Sequence, residues 1–400
     1  MNRPLIAVVL VLSLAPVARA QEVTQERFLS TLDEDHVAVR SLMEGIARAE
    51  GVRVEARTLA NPRLDFWREE PESNAQVTNW TLAWTPPLDG RYGLGKKAAE
   101  TGLAAARERF DADRAALRRE FRKAFAEWSV AFERRETLRR QRDLVAGLAE
   151  QERQRARVGE GSGLAARRFT LVEGEVRAEF GSAEAEYVRA EAAARALRQD
   201  LPVESKPAPV ALSEPPAALD SGGAPHLSAL EQEKEQAGYE ARRVGRFLGS
   251  PTLLLGWQTI DDRGGSESGP IVAAGWSVPL FDRDQGARLE AERRRDVAAA
   301  RLTFAQARLA GEVEGGLDAY RVLFASAREA QDTASEAEKV IEAATAAFRA
   351  GEAGLTDLLD ALRSAFTARL RAIDSRAHAL GAHRNLEAVL GRPLTEGENR

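Results

Sequence analysis

The sequence predicts a mainly α-helical protein with a small β part, built twice from one unit of two strands and a long helical hairpin. Three observations support this prediction: a repeat at a fixed offset of 192 residues, two very long stretches without proline, and short alternating strands that hold most of the tryptophans. Charged residues make up 30% of the chain and aromatic residues 6%. That composition is typical of long helices that pack through narrow apolar stripes.

The duplication is visible as a constant spacing between matching residues. Pro87 and Pro279 lie 192 residues apart, and each follows an apolar run that contains tryptophan. The Val-Gly-Glu-Gly sequence at 158–161 likewise corresponds to Ala-Gly-Glu-Ala at 350–353. The same offset matches further apolar positions without a gap: Phe110 with Leu302, Leu117 with Leu309, Phe121 with Val313, Trp128 with Tyr320 and Phe132 with Phe324. A repeat of this kind determines how the whole fold is assigned.

The repeat also predicts the domain organisation. A signal peptide at 1–20 precedes the first repeat at 21–201, and a proline-rich connector at 202–226 leads to the second repeat at 227–394. The last residues, 395–400, are expected to form a disordered tail because they are polar and terminal.

The long helices are predicted from the absence of breakers. Proline is absent from 88–201 and from 280–392, and a proline inside a helix costs about 3 kcal/mol. We expect one helix from about Leu94 to Val158, on the order of 100 Å long at about 1.5 Å per residue, and its counterpart from about Ala287 to Arg349. A shorter helix is expected near Glu26–Arg48. Helices of this length cannot bury themselves in a globule, so they must form a rod or the wall of a tube.

Short alternating runs predict strands that hold five of the six tryptophans. About nine residues with a period of two are typical of a transmembrane β-strand, and tryptophan suits a lipid interface. We therefore expect Trp80, Trp84, Trp257 and Trp276 at the membrane interface. The alternation alone fits soluble hairpins with tryptophan in the core equally well. The predicted strands are Pro62–Trp67, Val77–Thr85, Thr252–Ile260 and Ile271–Val278.

Four strands are too few to close a barrel, for which about eight is the practical minimum. If these strands cross a membrane, several copies of the chain must therefore share one barrel. In the second strand, Trp80, Leu82 and Trp84 are expected on one face, with Asn79 and Thr81 on the other.

The N-terminus predicts export. Arg3 precedes an apolar run at 5–15, and Ala18-Arg19-Ala20 gives a small-residue cleavage site, so the mature chain is expected to start at Gln21. The sequence contains no cysteine. Lipidation of the mature N-terminus, disulfides and thiolate metal sites are therefore excluded.

Catalysis and nucleic-acid binding find no support in the sequence. It has no G-x-S-x-G, no GK[ST] phosphate loop and no H-E-x-x-H, and its four histidines are scattered. The net charge of −5 and the lack of a basic patch argue against nucleic acid. We expect a non-enzymatic protein without cofactors or bound metal.

At this point the chain resembles the TolC-like outer-membrane efflux factors, over nearly the whole mature length. The resemblance rests on the duplicated unit, on Asn61-Pro62 and Ser250-Pro251 opening the strand pairs, on the Trp-Ser-Val-Pro-Leu-Phe-Asp run at 276–282, and on the run at 351–361. The continuation at 282–286, Asp-Arg-Asp-Gln-Gly, is similar to the branch that exports heavy-metal cations of the cobalt–zinc–cadmium type.

The resemblance implies an outer-membrane channel of a Gram-negative bacterium. Three chains would each give four strands to a twelve-stranded β-barrel in outer-membrane lipid, and the barrel would continue into a periplasmic α-helical tube. A periplasmic adaptor (membrane fusion protein) would connect the tube to a proton-driven inner-membrane pump. Divalent heavy-metal cations would be the cargo rather than a cofactor.

The resemblance also assigns candidate site residues. Asp357 and Asp360 lie three apart at the start of a helix and would face the lumen at the periplasmic entrance, where a ring of carboxylates attracts cations. For an arbitrary acidic pair, a solvated helix face is the simpler interpretation. The glycine-rich turns would contact the adaptor, and glycine also allows the positive φ that a reversal needs. These tip residues are Gly159, Gly161, Gly163, Gly351 and Gly354.

Two alternatives remain open from the sequence. A channel of the same fold could carry drugs or a secreted polypeptide, as in multidrug or type I secretion systems, because no residue identifies the cargo. A periplasmic coiled-coil adaptor would also contain long helical hairpins, although it would have one hairpin between β-rich halves.

Overall fold

The computed structural model describes residues 22–33, 35–70, 76–160, 162–202, 204–220, 222–246 and 249–394. The predicted signal peptide at 1–20, the predicted tail at 395–400 and the predicted tip residue Gly161 lie outside these described residues. In chain order the elements are β1 (Glu22–Val23), α1 (Gln25–Leu29), α2 (Val37–Leu42), α3 (Glu44–Arg57), β2 (Arg63–Glu69), β3 (Gln76–Trp84), α4 (Arg91–Arg157), α5 (Gly163–Leu197), β4 (Lys206–Pro207), α6 (Pro225–Val244), β5 (Thr252–Asp262), β6 (Gly265–Gly275), α7 (Gln285–Ala350) and α8 (Leu355–Leu390).

The two long helices confirm the prediction from missing proline. Helix α4 has 67 residues and α7 has 66, and each begins and ends within three residues of its predicted bounds. Helices α5 and α8 are the return arms of the two hairpins. None of the helices in the described ranges combines the length and apolar character needed to cross a bilayer.

The single helix expected near Glu26–Arg48 is wrong, because this region forms three helices. Helix α1 ends at Leu29, and α2 begins after His36, whose side chain accepts a hydrogen bond from the backbone N–H of Ala38. This N-cap starts a new helix, so the region is not the one continuous helix that the sequence suggested.

The chain divides into two compact units. The hairpin unit contains the described parts of 1–31, 118–215 and 320–384, and the sheet unit contains those of 32–117, 216–319 and 385–400. Helices α4 and α7 each contribute to both units. The division therefore runs across the duplicated repeats.

The connector between the repeats is fixed to the hairpin unit by short contacts. Its strand β4 pairs in parallel with β1. The Ser129 hydroxyl donates to the carbonyl of Ala208 at 2.9 Å, and the Tyr320 hydroxyl donates to the carbonyl of Ser213. Ser129 is in α4 and Tyr320 is in α7, so the connector is held to the outgoing helix of each repeat.

The sheet unit contains a four-stranded antiparallel sheet in the order β2-β3-β5-β6. The two hairpins therefore lie side by side, joined through β3 and β5. The predicted bounds of the last strand are wrong: β6 covers Gly265–Gly275, whereas the alternation suggested Ile271–Val278. Residue-by-residue pairing with β5, from Thr252 opposite Gly275 to Asp262 opposite Gly265, draws the glycine- and serine-rich run into the ladder.

Candidate functional site

One face of the sheet is apolar and exposed. On the two central strands, Trp80 pairs with Trp257 and Leu82 with Leu255. The exposed fractions are 50% for Trp80, 51% for Trp257 and 57% for Leu255, so these side chains do not form the core of a soluble hairpin. The same apolar face continues onto Trp84, Leu253 and the outer strands, with Leu64 and Phe66 on β2 and Pro270, Val272 and Ala274 on β6.

On the opposite face of the central strands, two polar residues of β3 are buried next to Ala83 and Leu254. Asn79 and Thr81 are each only 2% exposed. The backbone is also tightly packed here, because a Cβ added to Gly256 would lie 2.5 Å from the carbonyl oxygen of Trp80. Soluble proteins bury apolar residues and expose polar ones, and this strand does the reverse. The arrangement of faces predicted from the alternation is confirmed.

Each hairpin is closed at the same end by a tryptophan. The indole N–H of Trp84 donates to the carbonyl of Ala60 at 3.2 Å, and that of Trp276 donates to the carbonyl of Gly249 at 2.8 Å. Each acceptor comes two residues before the proline that opens the strand pair. These two indole N–H groups therefore bind backbone oxygens, a function that the sequence analysis did not identify.

The two hairpins are joined by side chains just outside the sheet. The hydroxyls of Thr85 and Thr252 lie 2.8 Å apart, and the backbone N–H of Leu88 donates to Ser250 Oγ at 2.9 Å. Arg91 Nε donates to the carbonyl of Arg246 at 2.8 Å. These contacts support the β3–β5 pairing.

The outer strands of the sheet leave two edges open. Strands β2 and β6 each pair with one neighbour within the described chain. An unpaired edge presents a row of N–H and C=O groups that is ready to pair with another strand. The apolar rows also reach both edges, where Phe66 is 53% and Val272 78% exposed.

Two helical tips form the second candidate surface: the first tip at 158–163 and the second tip at 350–355. Gly159 and Gly351 have φ of 78° and 77°, which glycine adopts without strain. The carbonyl of Arg155 accepts the N–H of Glu160, and the carbonyl of Ala347 accepts that of Glu352. Both outgoing helices therefore end in the same Schellman motif, as the glycine repeat predicts.

The two predicted carboxylates lie next to the second tip and are exposed. The Asp357 carboxylate accepts the backbone N–H of Gly354 at 3.1 Å. The Asp360 carboxylate has no hydrogen-bond or ion-pair partner among the side chains that the structure describes. The structure therefore places the pair together but in different surroundings.

An apolar core lies behind the two tips in the hairpin unit. Helices α4, α5 and α8 contribute its buried side chains, and Ile341, Ala344 and Phe348 of α7 pack against it. Arg153 adds an ionic link, because its hydrogen bond to Glu173 joins α4 to α5. Together with a bond to Glu150 of its own helix, this contact raises the pKa of the Arg153 guanidinium. The buried members are Val145, Leu148, Ala149, Phe169, Val176, Leu358, Leu362 and Phe366.

A cavity of about 650 Å³ in the hairpin unit carries both signs of charge. Glu133 pairs with Arg376, and Glu338 lies 3.8 Å from Arg369, so two lining carboxylates already have cationic partners. In the described ranges, no three His, Asp or Glu side chains are grouped so that they could hold a metal ion.

Comparison with known proteins agrees with this architecture. Residues 225–392 match the family model described as outer membrane efflux protein. The cobalt-zinc-cadmium resistance protein CzcC of Cupriavidus metallidurans is 24% identical over 397 residues, covering 94% of this chain and 92% of that protein.

Solved channel structures have the same fold. CusC superposes with a TM-score of 0.75 at 15% identity, covering 92% of both chains. The outer-membrane protein VceC of Vibrio cholerae superposes with a TM-score of 0.73 at 16% identity, covering 93% of this chain and 97% of VceC.

The fold is that of the solved outer-membrane channels, and residues 225–392 match the outer membrane efflux protein model, a family of non-enzymatic transport proteins. The resemblance found in the sequence is thereby confirmed, and the chain is similar in sequence to CzcC over almost its full length.

The tip geometry predicts opposite effects for two glycine substitutions. Gly351→Ala places a Cβ at positive φ and should destabilise the second tip by about 1–2 kcal/mol. Gly163→Ala should be neutral or slightly stabilising, because this residue is helical, has open space around its Cα and gains helix propensity. Amide hydrogen exchange across 347–353 and 158–166 measures both effects. Equal protection in the two variants would contradict the assigned role of the positive φ.

Proposed function

We propose that this chain is the outer-membrane channel subunit of a tripartite efflux system that exports divalent heavy-metal cations. The observation that supports a channel most directly is the sheet, whose apolar face is exposed, whose opposite face buries the polar Asn79 and Thr81, and whose two edges are open. Such a sheet is a segment of a barrel in lipid rather than a soluble domain. The signal peptide expected at 1–20 would export the chain to the periplasm and the outer membrane.

The proposed assembly is a homotrimer. Four strands from each of three copies give twelve, which satisfies the minimum of about eight that closure requires. The number three comes from the resemblance to TolC-like factors. The helical hairpins of the three copies would then surround one periplasmic conduit.

Metal cations are the proposed cargo because of the sequence similarity to a cobalt-zinc-cadmium resistance protein. The chain has no cysteine, so its conduit would handle cations through carboxylates and water. Asp357 and Asp360 of each copy would place six carboxylates at the entrance.

The two tips are the proposed docking surface for the adaptor. Beside the Schellman turn of the first tip, Val158 is 71% and Leu164 is 62% exposed. Exposed apolar side chains at a helix reversal suit contact with another protein. Gly159, Gly163, Gly351 and Gly354 lie on the surface, and Gly161 is included by the resemblance alone.

The duplication predicts how one copy would pair with the next. The tryptophan contacts make Trp84 equivalent to Trp276 and Ala60 equivalent to Gly249. Strand β6 of one copy thus corresponds to β3, and β2 of a second copy corresponds to β5. Transferring the observed β3–β5 register to the open edges places Trp276 opposite Leu64, Ala274 opposite Phe66 and Val272 opposite Arg68 of the second copy.

This register places apolar side chains opposite each other at two successive pairs of the junction, and Arg68 ends the row opposite Val272. A slip by one residue would turn one strand's apolar side chains to the other face. The contacts outside the sheet transfer in the same way, so Arg283 is equivalent to Arg91 and the carbonyl of Arg57 in the second copy to that of Arg246.

Cysteine cross-linking tests the predicted register. The natural chain has no cysteine, so the double variant Phe66→Cys/Ala274→Cys introduces a single pair. Directly opposed residues have Cβ atoms about 4.5–5.5 Å apart, so a short cross-linker should give covalent trimers on a denaturing gel. The control Leu64→Cys/Ala274→Cys, displaced by two residues on the same face, should cross-link much less. A stronger cross-link in the control would contradict the register.

Growth assays test the cargo. A deletion strain should lose resistance to zinc, cobalt or cadmium salts and keep its resistance to drugs and detergents, and the gene should restore the loss. Sensitivity confined to drugs would leave the channel intact and favour the multidrug alternative.

A further inference from the structure

We propose that the two carboxylates of the second tip have different functions. Asp357 holds the tip turn in place by binding the backbone of Gly354, and Asp360 alone presents an unpaired charge. The inference rests on the proposed function only in that the second tip lies at the channel entrance.

The second tip lacks a side-chain cap at the start of its return helix. Helix α8 begins at Leu355 after Gly354, which has no side chain to accept an N-terminal N–H. The first tip differs, because Ser162 precedes α5 and its hydroxyl accepts the N–H of Leu164 at 3.2 Å. The side chain of the cap residue therefore stabilises the helix start at the first tip and cannot do so at the second.

Asp357 holds the start of α8 through a different donor, the N–H of the cap residue Gly354 itself. Asp357 is the third residue of α8, and its carboxylate reaches back to the N–H of Gly354 at 3.1 Å. This is the reach-back half of a capping box, and a negative charge in the first helical turn is further stabilised by the helix dipole. The Asp357 oxygen that accepts this bond points towards the tip backbone, so the charge of Asp357 is directed less towards the entrance than that of a carboxylate without a partner.

Two neighbouring contacts depend on the position of this turn. Leu358 is fully buried in the core behind the tips, so the first turn of α8 is anchored on one side. On the other side, Arg168 of α5 donates to the hydroxyl of Thr356 at 3.4 Å. Loss of the Asp357 cap should therefore loosen both the turn and the α5–α8 contact.

Asp360 lies almost one turn further along α8, and no hydrogen bond joins its carboxylate to the backbone of the second tip. It is exposed, and no described side chain forms an ion pair with it. A carboxylate in this situation contributes to the entrance through its charge. Of the acidic pair, Asp357 therefore caps the helix and Asp360 is an exposed carboxylate.

Asparagine and alanine substitutions separate the two functions, because asparagine keeps the acceptor oxygen and removes the charge. For hydrogen exchange at 350–358, we expect Asp357→Asn to match the natural protein and Asp357→Ala to exchange about five- to tenfold faster. Asp360→Asn and Asp360→Ala should leave exchange unchanged.

Single-channel conductance of the same four variants gives the second readout. Asp360→Asn and Asp360→Ala should change conductance to the same extent, because both remove the charge, whereas Asp357→Asn should change it less than Asp357→Ala. Equal behaviour of Asp357→Asn and Asp357→Ala in both readouts would overturn the proposal. If the natural protein forms no channel, the proposed function fails, and the exchange data still decide whether Asp357 is a cap.

Discussion

The structure depends on one constraint: a four-stranded sheet whose apolar face and both edges are uncovered. In water such a sheet would leave apolar side chains such as Leu255 and Val272 exposed and the edge strands open to any other strand. A lipid surface outside and equivalent strands at each edge would satisfy both requirements together. The buried Asn79 and Thr81 on the opposite face then belong to the side away from lipid.

Gene duplication explains how one chain supplies two similar strand pairs and two similar helical tips. The tryptophan contact at the base of each hairpin and the Schellman motif at each tip recur between the two repeats. Both features need only a glycine at positive φ and one tryptophan indole, so each repeat can form them independently. The N-terminal caps have diverged, with Ser162 at the first tip and Asp357 at the second. The two tips therefore share one backbone turn and differ in the side chain that stabilises it.

The sequence predicted the long helices well because missing proline and constant spacing are strong signals over more than sixty residues. It also placed Trp80 and Asn79 on opposite faces correctly, since strand alternation has a period of two. It failed at two places, of which one is decided by a distant strand and the other by a local cap. The glycine-rich start of β6 is a strand only because β5 pairs with it, and the region near Glu26–Arg48 breaks where His36 caps a new helix. The bond from Gly354 to Asp357 has a local signal in the sequence, an acidic residue three positions after the glycine.

Site-directed spin labelling tests the central claim, that the apolar face of the sheet meets lipid, most directly. A label at Leu255→Cys would lie on that face, and a label at Gln258→Cys would lie on the opposite face of the same strand. In protein reconstituted into lipid vesicles, the label at 255 should be accessible to oxygen and protected from a water-soluble nickel chelate, and the label at 258 should show the reverse. Equal access of the chelate to both labels would contradict a membrane-facing sheet.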